Sequence, residues 1–282
     1  VPEMETLPPL YHILLHFWMT IAGDSIFAVR YFSVIPGILL ISLVHVIGQR
    51  LFGRPGATLA AGMTAFSSFA IYYSQETRMY AWVTAFGTLS AYSMLRLQHR
   101  SSWKSKWTAA YLVSTLAAIF THYYALLVVL AQNLFMITCN HHRWRWLQVI
   151  TGLSFLPWVM AHADFISSKA SLRMDAWGLE GTNQVWAGSL WAFATGITVS
   201  PQQQWMAAAM LIFVAIGVRR VWQISGQQRF LALYLFVPIT GAWLIGPLMP
   251  FFYERYLTIA LPAYILLLVA GLLASARPIL IG

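Results

Sequence analysis

The chain has 282 residues, of which 59% are hydrophobic, 15% aromatic and only 9% charged, with a mean hydropathy of +0.66. A water-soluble domain carries about a quarter charged residues, so a membrane protein is the default reading. Seventeen Lys and Arg against eight Asp and Glu give a net charge of +9, which argues for nucleic acid only if the excess forms a patch. The single cysteine, Cys139, excludes an internal disulfide and any cysteine-based metal cluster.

The chain opens at Val1 with no basic n-region and no cleavable-signal pattern, so it reads as a fragment whose start is missing. Residues 1–25 read as the remainder of a first external loop. Pro8, Pro9, Leu10 and Tyr11 open a short amphipathic stretch to Trp18, of a length that suits a helix lying along the external interface. His12 and His16, at i and i+4, can share a metal or sit as interfacial residues on a wet face.

Apolar runs long enough to cross a bilayer, roughly 20 residues each, fall at 27–47, 57–73, 79–97, 147–166, 230–248 and 256–273, with a shorter one at 205–218. The run 107–138 is split at Thr121, His122, Tyr123 and Tyr124, because a single helix there puts two basic loops on opposite sides. Residues 167–185 form the longest external loop, and 186–199 suits an interfacial or re-entrant segment better than a span. With no internal repeat or soluble insert, 1–282 reads as a single membrane-embedded domain. It is an all-α polytopic bundle of about nine transmembrane helices (26–282), with an interfacial helix near the N-terminus and short external loops.

Lys and Arg near span ends stay on the cytoplasmic side. Alternating crossings from an external N-terminus put Arg50, Arg54, Arg96, Arg100, Lys104, Lys106, Arg143, Arg145, Arg219, Arg220, Arg229 and Arg277 inside. All eight acids then fall outside, with Arg30, Arg78, Lys169, Arg173 and Arg255. The positive charge is therefore topological, and no nucleic-acid partner is expected. Confinement of the acids to one face has two explanations: chemistry on that face, or inner loops too short to hold them.

The densest external cluster runs from Tyr72 to Tyr80 through Glu76 and Arg78. At membrane depth a carboxylate and a guanidinium are costly. Arg can grip a phosphate and Glu can accept a hydroxyl proton or hold a hard cation. A self-neutralising pair among belt tyrosines is the bland alternative. His122 can shuttle a proton, hold phosphate or sit as an interfacial histidine. Arg255, at the start of the last span, can hold an anionic headgroup or pair with Glu254. Asp24 and Arg30 suit a helix start and a snorkelling base, and His141 to Trp146 suits an anchor facing anionic membrane lipid.

The runs PPLYHILLHFW, GDSIFAVRYFSVIPG, LFGRPGATLAAGMTAFSSFAIYYSQETRMYAW, THYYALLVVLAQ, FLPW and YERYLTIALPAYILLL carry a resemblance over residues 7–268. The chain resembles the bacterial membrane glycosyltransferases of the GT-C fold, within the group related to dolichyl-phosphate-mannose protein mannosyltransferases and lipid A aminoarabinose transferases. The resemblance implies transfer of a sugar from a polyprenyl-phosphate donor to a lipid, protein or glycan acceptor, at the periplasmic or exterior face of a bacterial inner membrane.

By the same resemblance, Arg78 and Arg255 match positions suited to the lipid phosphate. His122 with Tyr123 matches a Thr-His-Tyr element, and Glu76 falls where some relatives carry an acidic motif that can hold a divalent cation. Glu76 is the catalytic candidate; Arg78, Tyr80, His122, Tyr123, Arg255, Tyr256 and Tyr11 are the substrate-binding candidates. No metal ligand set is assigned, though a divalent cation fits the chemistry. The family also carries an Asp, the principal base, in a region expected before Val1, so the fragment is expected to lack its first span and that base. A rival from another class, a flippase for lipid-linked sugars, needs polar groups at the bilayer midplane, where His45, Gln132 and Asn133 are the few candidates.

Overall fold

The computed structural model describes residues 7–98, 105–139, 142–162, 184–197, 204–224, 226–246 and 252–276. Of the loop predicted at 167–185, residues 167–183, with Lys169, Arg173, Asp175 and Glu180, lie outside them, as do Glu3, Glu5, Arg100, Lys104, His141, Asp164 and Arg277. The described residues form eleven α-helices and no strand.

Helix α1 (Leu10–Ala22) starts where the Leu10 N–H donates to the Phe120 carbonyl at 3.0 Å. Tyr11 turns into the protein while Ile13, Phe17 and Ile21 stay exposed. After Gly23 the chain doubles back, and the Trp18 indole donates to the Ala28 carbonyl at 2.8 Å. The amphipathic helix expected at the N-terminus is therefore present and pinned at both ends.

Helix α2 (Ile26–Ala65) is 40 residues long, but it is not one rod. Gly53 has φ +78° inside it, a left-handed conformation that glycine adopts at no steric cost, and Pro55 follows. A Cβ on Gly48 would stand 3.1 Å from Ala57 Cα, and one on Gly37 would stand 2.7 Å from Ser74 Cβ. Residues nine and then 37 positions apart touch only if the arms run antiparallel, so α2 is a helical hairpin turning at Gly53. Its second arm continues past Phe66 into α3 (Ser68–Ser74), capped by the Ser67 hydroxyl. The two arms correspond to the runs expected at 27–47 and 57–73.

Helix α4 (Tyr80–Leu97) pairs with α5 (Lys106–Ile119), and α6 (Ala125–Ile137) follows the turn at 120–124. The predicted split of 107–138 is therefore observed at the same residues. Helix α7 (His142–Ala161) begins five residues before the run at 147. The reason is Trp144, which is buried and donates its indole N–H to Asn133 Oδ1 at 2.9 Å, drawing the basic-aromatic run into the helix. A π-turn at Gln184–Gly188 leads into α8 (Ser189–Thr195), too short to cross a bilayer.

Helix α9 (Gln204–Gln223) is longer than the apolar run within it, and α10 (Arg229–Ile245) follows. A 3₁₀ segment, Glu254–Ala260, then feeds α11 (Leu261–Ala276) through Pro262. Among the described residues, three helices are long and apolar enough to cross a membrane, at Ile26–Ala65, Trp205–Gln223 and Glu254–Ala276; Leu10–Ala22, Ala125–Ile137 and Arg229–Ile245 are shorter apolar helices.

Helix α11 is the centre of the bundle, with every residue from Leu261 to Gly271 buried. It lies against α9 so closely that a Cβ on Gly217 would stand 1.9 Å from the Leu267 carbonyl oxygen, and one on Gly271 equally close to that of Phe213. A buried polar chain ties α4, α5, α6 and α7 together. Ser90 meets Thr115 at 2.7 Å, Gln132 Nε2 donates to Ser90 at 2.9 Å, and the Tyr111 hydroxyl donates to Gln132 Oε1 at 3.0 Å. Gln148 Nε2 in turn donates to the Tyr111 oxygen at 2.8 Å, and Asn133 Nδ2 to Gln148 Oε1 at 3.0 Å. Each donor has an acceptor, which is what a low-dielectric interior requires.

Two ends of the bundle are chemically distinct. One holds the Gly53 turn, the end of α4 and the start of α10: Arg50 and Gln227 both donate to the Leu95 carbonyl, and Gln228 donates to that of Leu51. The other gathers the start of α2, the turn before α4, the α5–α6 turn and the start of the last span.

Candidate functional site at the tyrosine end

The second end is built from aromatic rings carried by four separate segments. Tyr80 opens α4, His122 and Tyr124 lie in the α5–α6 turn, and Tyr256 lies in the 3₁₀ segment. Tyr80 and His122 have ring centroids 6.0 Å apart, His122 and Tyr256 5.5 Å, and Tyr124 and Tyr256 5.3 Å. Tyr73 from α3 joins by packing on Tyr80 at 5.7 Å. The bundle's packing sets the ends of these segments side by side.

Arg255 is held in this aromatic wall. Its guanidinium carbon lies 4.3 Å from the Tyr253 ring centroid, 5.7 Å from Tyr80 and 5.9 Å from Tyr256, within cation–π range of all three. Its Nε is buried with no hydrogen-bond partner, and so is Glu76 Oε2. Glu76, Glu254 and Arg255 all lie within electrostatic reach of Tyr73, and Arg255, Arg78 and Glu76 within reach of Tyr80. Charges of both signs thus converge on two tyrosines.

His122 is 4% exposed. The Tyr124 N–H donates to its Nδ1 at 3.2 Å, which leaves Nδ1 unprotonated and puts the proton on Nε2. Burial pushes its imidazole down from the ordinary 6.5 to about 4, because charging it would need solvation that the site does not provide. It is therefore a neutral donor at physiological pH.

Of the residues singled out in the sequence, Glu76, Arg78, Tyr80, His122, Arg255 and Tyr256 are brought to this end. Tyr123 is turned aside: its hydroxyl accepts from the Trp158 indole at 3.0 Å and its ring faces Phe155 on α7. Tyr124 takes the inward place, and a Thr-His-Tyr-Tyr string gives no sign of which tyrosine does so. Tyr11 stands to one side, buried against Phe32 with centroids 5.9 Å apart. Burial pushes its hydroxyl up to about 12, with the Arg78 charge acting the other way. The link to the turn before α4 is Ser33, whose hydroxyl donates to the Arg78 carbonyl at 3.4 Å. His12 and His16 lie on the exposed side of α1.

Thr258 emerges only in three dimensions, and Tyr73 and Glu254, singled out in the sequence, gain their setting there. Tyr73 and Thr258 line an apolar cleft between α2, α3, α4 and the last span, with Gly37, Leu40, Phe69 and Tyr80 among its other walls. Thr258 lies one helical turn beyond Glu254, and its hydroxyl is buried without a partner. Glu254 itself packs on Gly188 of the π-turn, its Oε1 3.3 Å from where a Cβ would stand. Among the described residues, no three His, Cys, Asp or Glu side chains gather where a metal could be held.

Neither a curated protein nor a solved structure matches the chain. A family model does, over residues 6–162, and this stretch contains α1, the α2 hairpin, the Glu76–Arg78 turn and the His122 turn. With that match, the chain belongs to the dolichyl-phosphate-mannose-protein mannosyltransferase family, whose members are membrane glycosyltransferases of the GT-C type.

Proposed function

We propose that the protein transfers a sugar from a polyprenyl-phosphate donor to an acceptor hydroxyl at the tyrosine end of the bundle. The observation that carries this reading is a pair of unsatisfied atoms: Arg255 Nε, in a guanidinium caged by tyrosines, and Glu76 Oε2, both on side chains beside Tyr80. A buried polar atom without a partner costs stability, and a phosphorylated sugar with its acceptor hydroxyl supplies partners for both.

In this reading the donor's isoprenoid tail runs along the apolar cleft between α2, α3, α4 and the last span, and its phosphate meets Arg255 and Arg78. His122, fixed as a neutral donor, offers its Nε2 proton to an oxygen of the same head. Glu76 takes the proton from the acceptor hydroxyl as that oxygen attacks the anomeric carbon. The bond from that carbon to the phosphate oxygen breaks, and the lipid phosphate leaves with the electron pair against Arg255. Such a displacement inverts the anomeric centre. The Lys- and Arg-rich end then lies in the cytoplasm of a bacterial inner membrane and the tyrosine end at the periplasm or exterior, within one membrane-embedded domain.

The test is discharge of a polyprenyl-phosphate donor with a labelled sugar, in membranes carrying the protein. Glu76→Gln and Arg78→Ala should each lower transfer by at least roughly tenfold. Wild-type turnover in both variants would remove these residues from the site, and movement of the intact donor without sugar release would identify a transporter.

A further inference from the structure

At the opposite end of the bundle a second set of cations is fixed in place. Arg50 Nε donates to Gln227 Oε1 at 2.7 Å and its Nη2 to the Leu95 carbonyl at 3.1 Å. Gln227 Nε2 braces the same carbonyl at 2.6 Å. These acceptors are neutral, so they hold the guanidinium without cancelling its charge. Arg96, next in the chain after Leu95, reaches the Tyr92 hydroxyl at 3.5 Å and lies 4.8 Å over the Trp107 ring. Lys106 Nζ is 5.4 Å from that same ring, and Arg96 and Tyr92 both lie within electrostatic reach of Arg50.

Arg96 and Lys106 thus flank Trp107, and Arg50 lies within electrostatic reach of Arg96 and Tyr92. The carboxylates among the described residues, Asp24, Glu76 and Glu254, belong to the other end of the bundle. Like charges gathered at one end of the bundle in partly buried surroundings call for an anion.

We propose that Arg50, Arg96 and Lys106, with Tyr92 and Trp107, form a headgroup site for an anionic phospholipid. The phosphate bridges Arg50 and Arg96, and the acyl chains run down α5. Two features favour a lipid over a free ion. The aromatic pair stands at the end of the α4–α5 pair, the depth at which aromatic residues meet lipid headgroups. Lys106, Ala109 and Val113 are all exposed, and their spacing of three and four puts them on one face of α5. A cation at the rim therefore leads into an apolar stripe. The site is independent of the sugar-transfer reading and of the residues that carry it.

The experiment compares retention of phosphatidylglycerol and phosphatidylcholine by the purified protein in neutral detergent, read by native mass spectrometry. The wild type should hold phosphatidylglycerol roughly tenfold more tightly. The double variant Arg96→Gln/Lys106→Gln should lose that preference while still eluting as a monodisperse species. Arg54→Gln, which removes an exposed cation near the Gly53 turn but outside the cluster, should keep it. Arg50 is left intact because it also braces the fold.

Equal retention of the two lipids by the wild type overturns the proposal, as does a preference that survives in the double variant. Loss of the preference in Arg54→Gln would show diffuse attraction and overturn it too. Full displacement of the lipid by inorganic phosphate at equal concentration would identify a free-ion site and reject the lipid.

Discussion

The Tyr80 and Tyr256 rings lie 6.2 Å apart, although one opens α4 and the other begins the last span, and the Arg255 guanidinium sits within 6 Å of both. Such a site distinguishes a guanidinium from a compact ammonium, because only the planar group stacks and presents a fork of donors at once. Arg255→Lys should therefore lower transfer from the labelled donor by roughly tenfold, the loss appearing in donor affinity as well as turnover. A lysine variant at the wild-type rate would mean that Arg255 contributes only charge.

His122 gives a prediction with a pH sign. Its folded value, about 4, lies below the ordinary 6.5. Between those two pH values the unfolded chain holds a proton that the folded chain does not, so stability falls as pH drops from 6.5 toward 4 and is insensitive to His122 above that window. Thermal melting of His122→Gln, which cannot titrate, should show a flatter dependence across the window than the wild type. Parallel curves would contradict the buried neutral state.

Gly217 and Gly271 allow the closest helix contact in the bundle core. A Cβ on Gly217 would meet backbone, the Leu267 carbonyl oxygen, rather than a movable side chain tip. Gly217→Ala should therefore cost about 1–3 kcal/mol of stability, seen as a lower melting temperature in detergent. Gly62→Ala, whose added Cβ meets nothing within 4 Å, is the matched control and should leave melting unchanged or slightly raised.

The polar chain through Gln132 invites the opposite expectation. Gln132→Leu removes two hydrogen bonds inside the bundle, yet Tyr111 keeps Gln148 and Ser90 keeps Thr115. Interhelical bonds of this kind contribute about 0.6 kcal/mol on average in membranes. A modest drop in melting temperature with retained folding is expected. Complete loss of folded protein would show that the network sets helix register.

Much of the fold is legible along the chain because the membrane constrains it in one dimension. Apolar runs must match the bilayer, and basic residues collect at alternate ends. That reasoning separates the two arms of α2 and splits 107–138 at its turn, where helix length and loop charge leave little choice. It places the start of α7 five residues late, because Trp144 looks like an interfacial anchor until its indole is seen bonded to Asn133 inside the bundle. It also reads 205–218 as short, since Arg219 and Arg220 lower the hydropathy of a helix that continues past them to Gln223.

By itself the sequence determined that this is an all-helical membrane chain of a glycosyltransferase family and that its acids, tyrosines and two arginines concentrate in a few short turns. Those properties follow from local composition and one-dimensional matching to the bilayer. Only the tertiary structure decided that Tyr80, His122, Tyr124 and Tyr256 form one aromatic wall, that Tyr123 faces α7 instead, and that Arg50 is fixed beside Arg96 by the Leu95 carbonyl and Gln227. The physical reason is that helix rotation and lateral neighbours are set by packing, such as the contact of Gly217 with α11, and no local pattern encodes which face of a buried helix meets which partner.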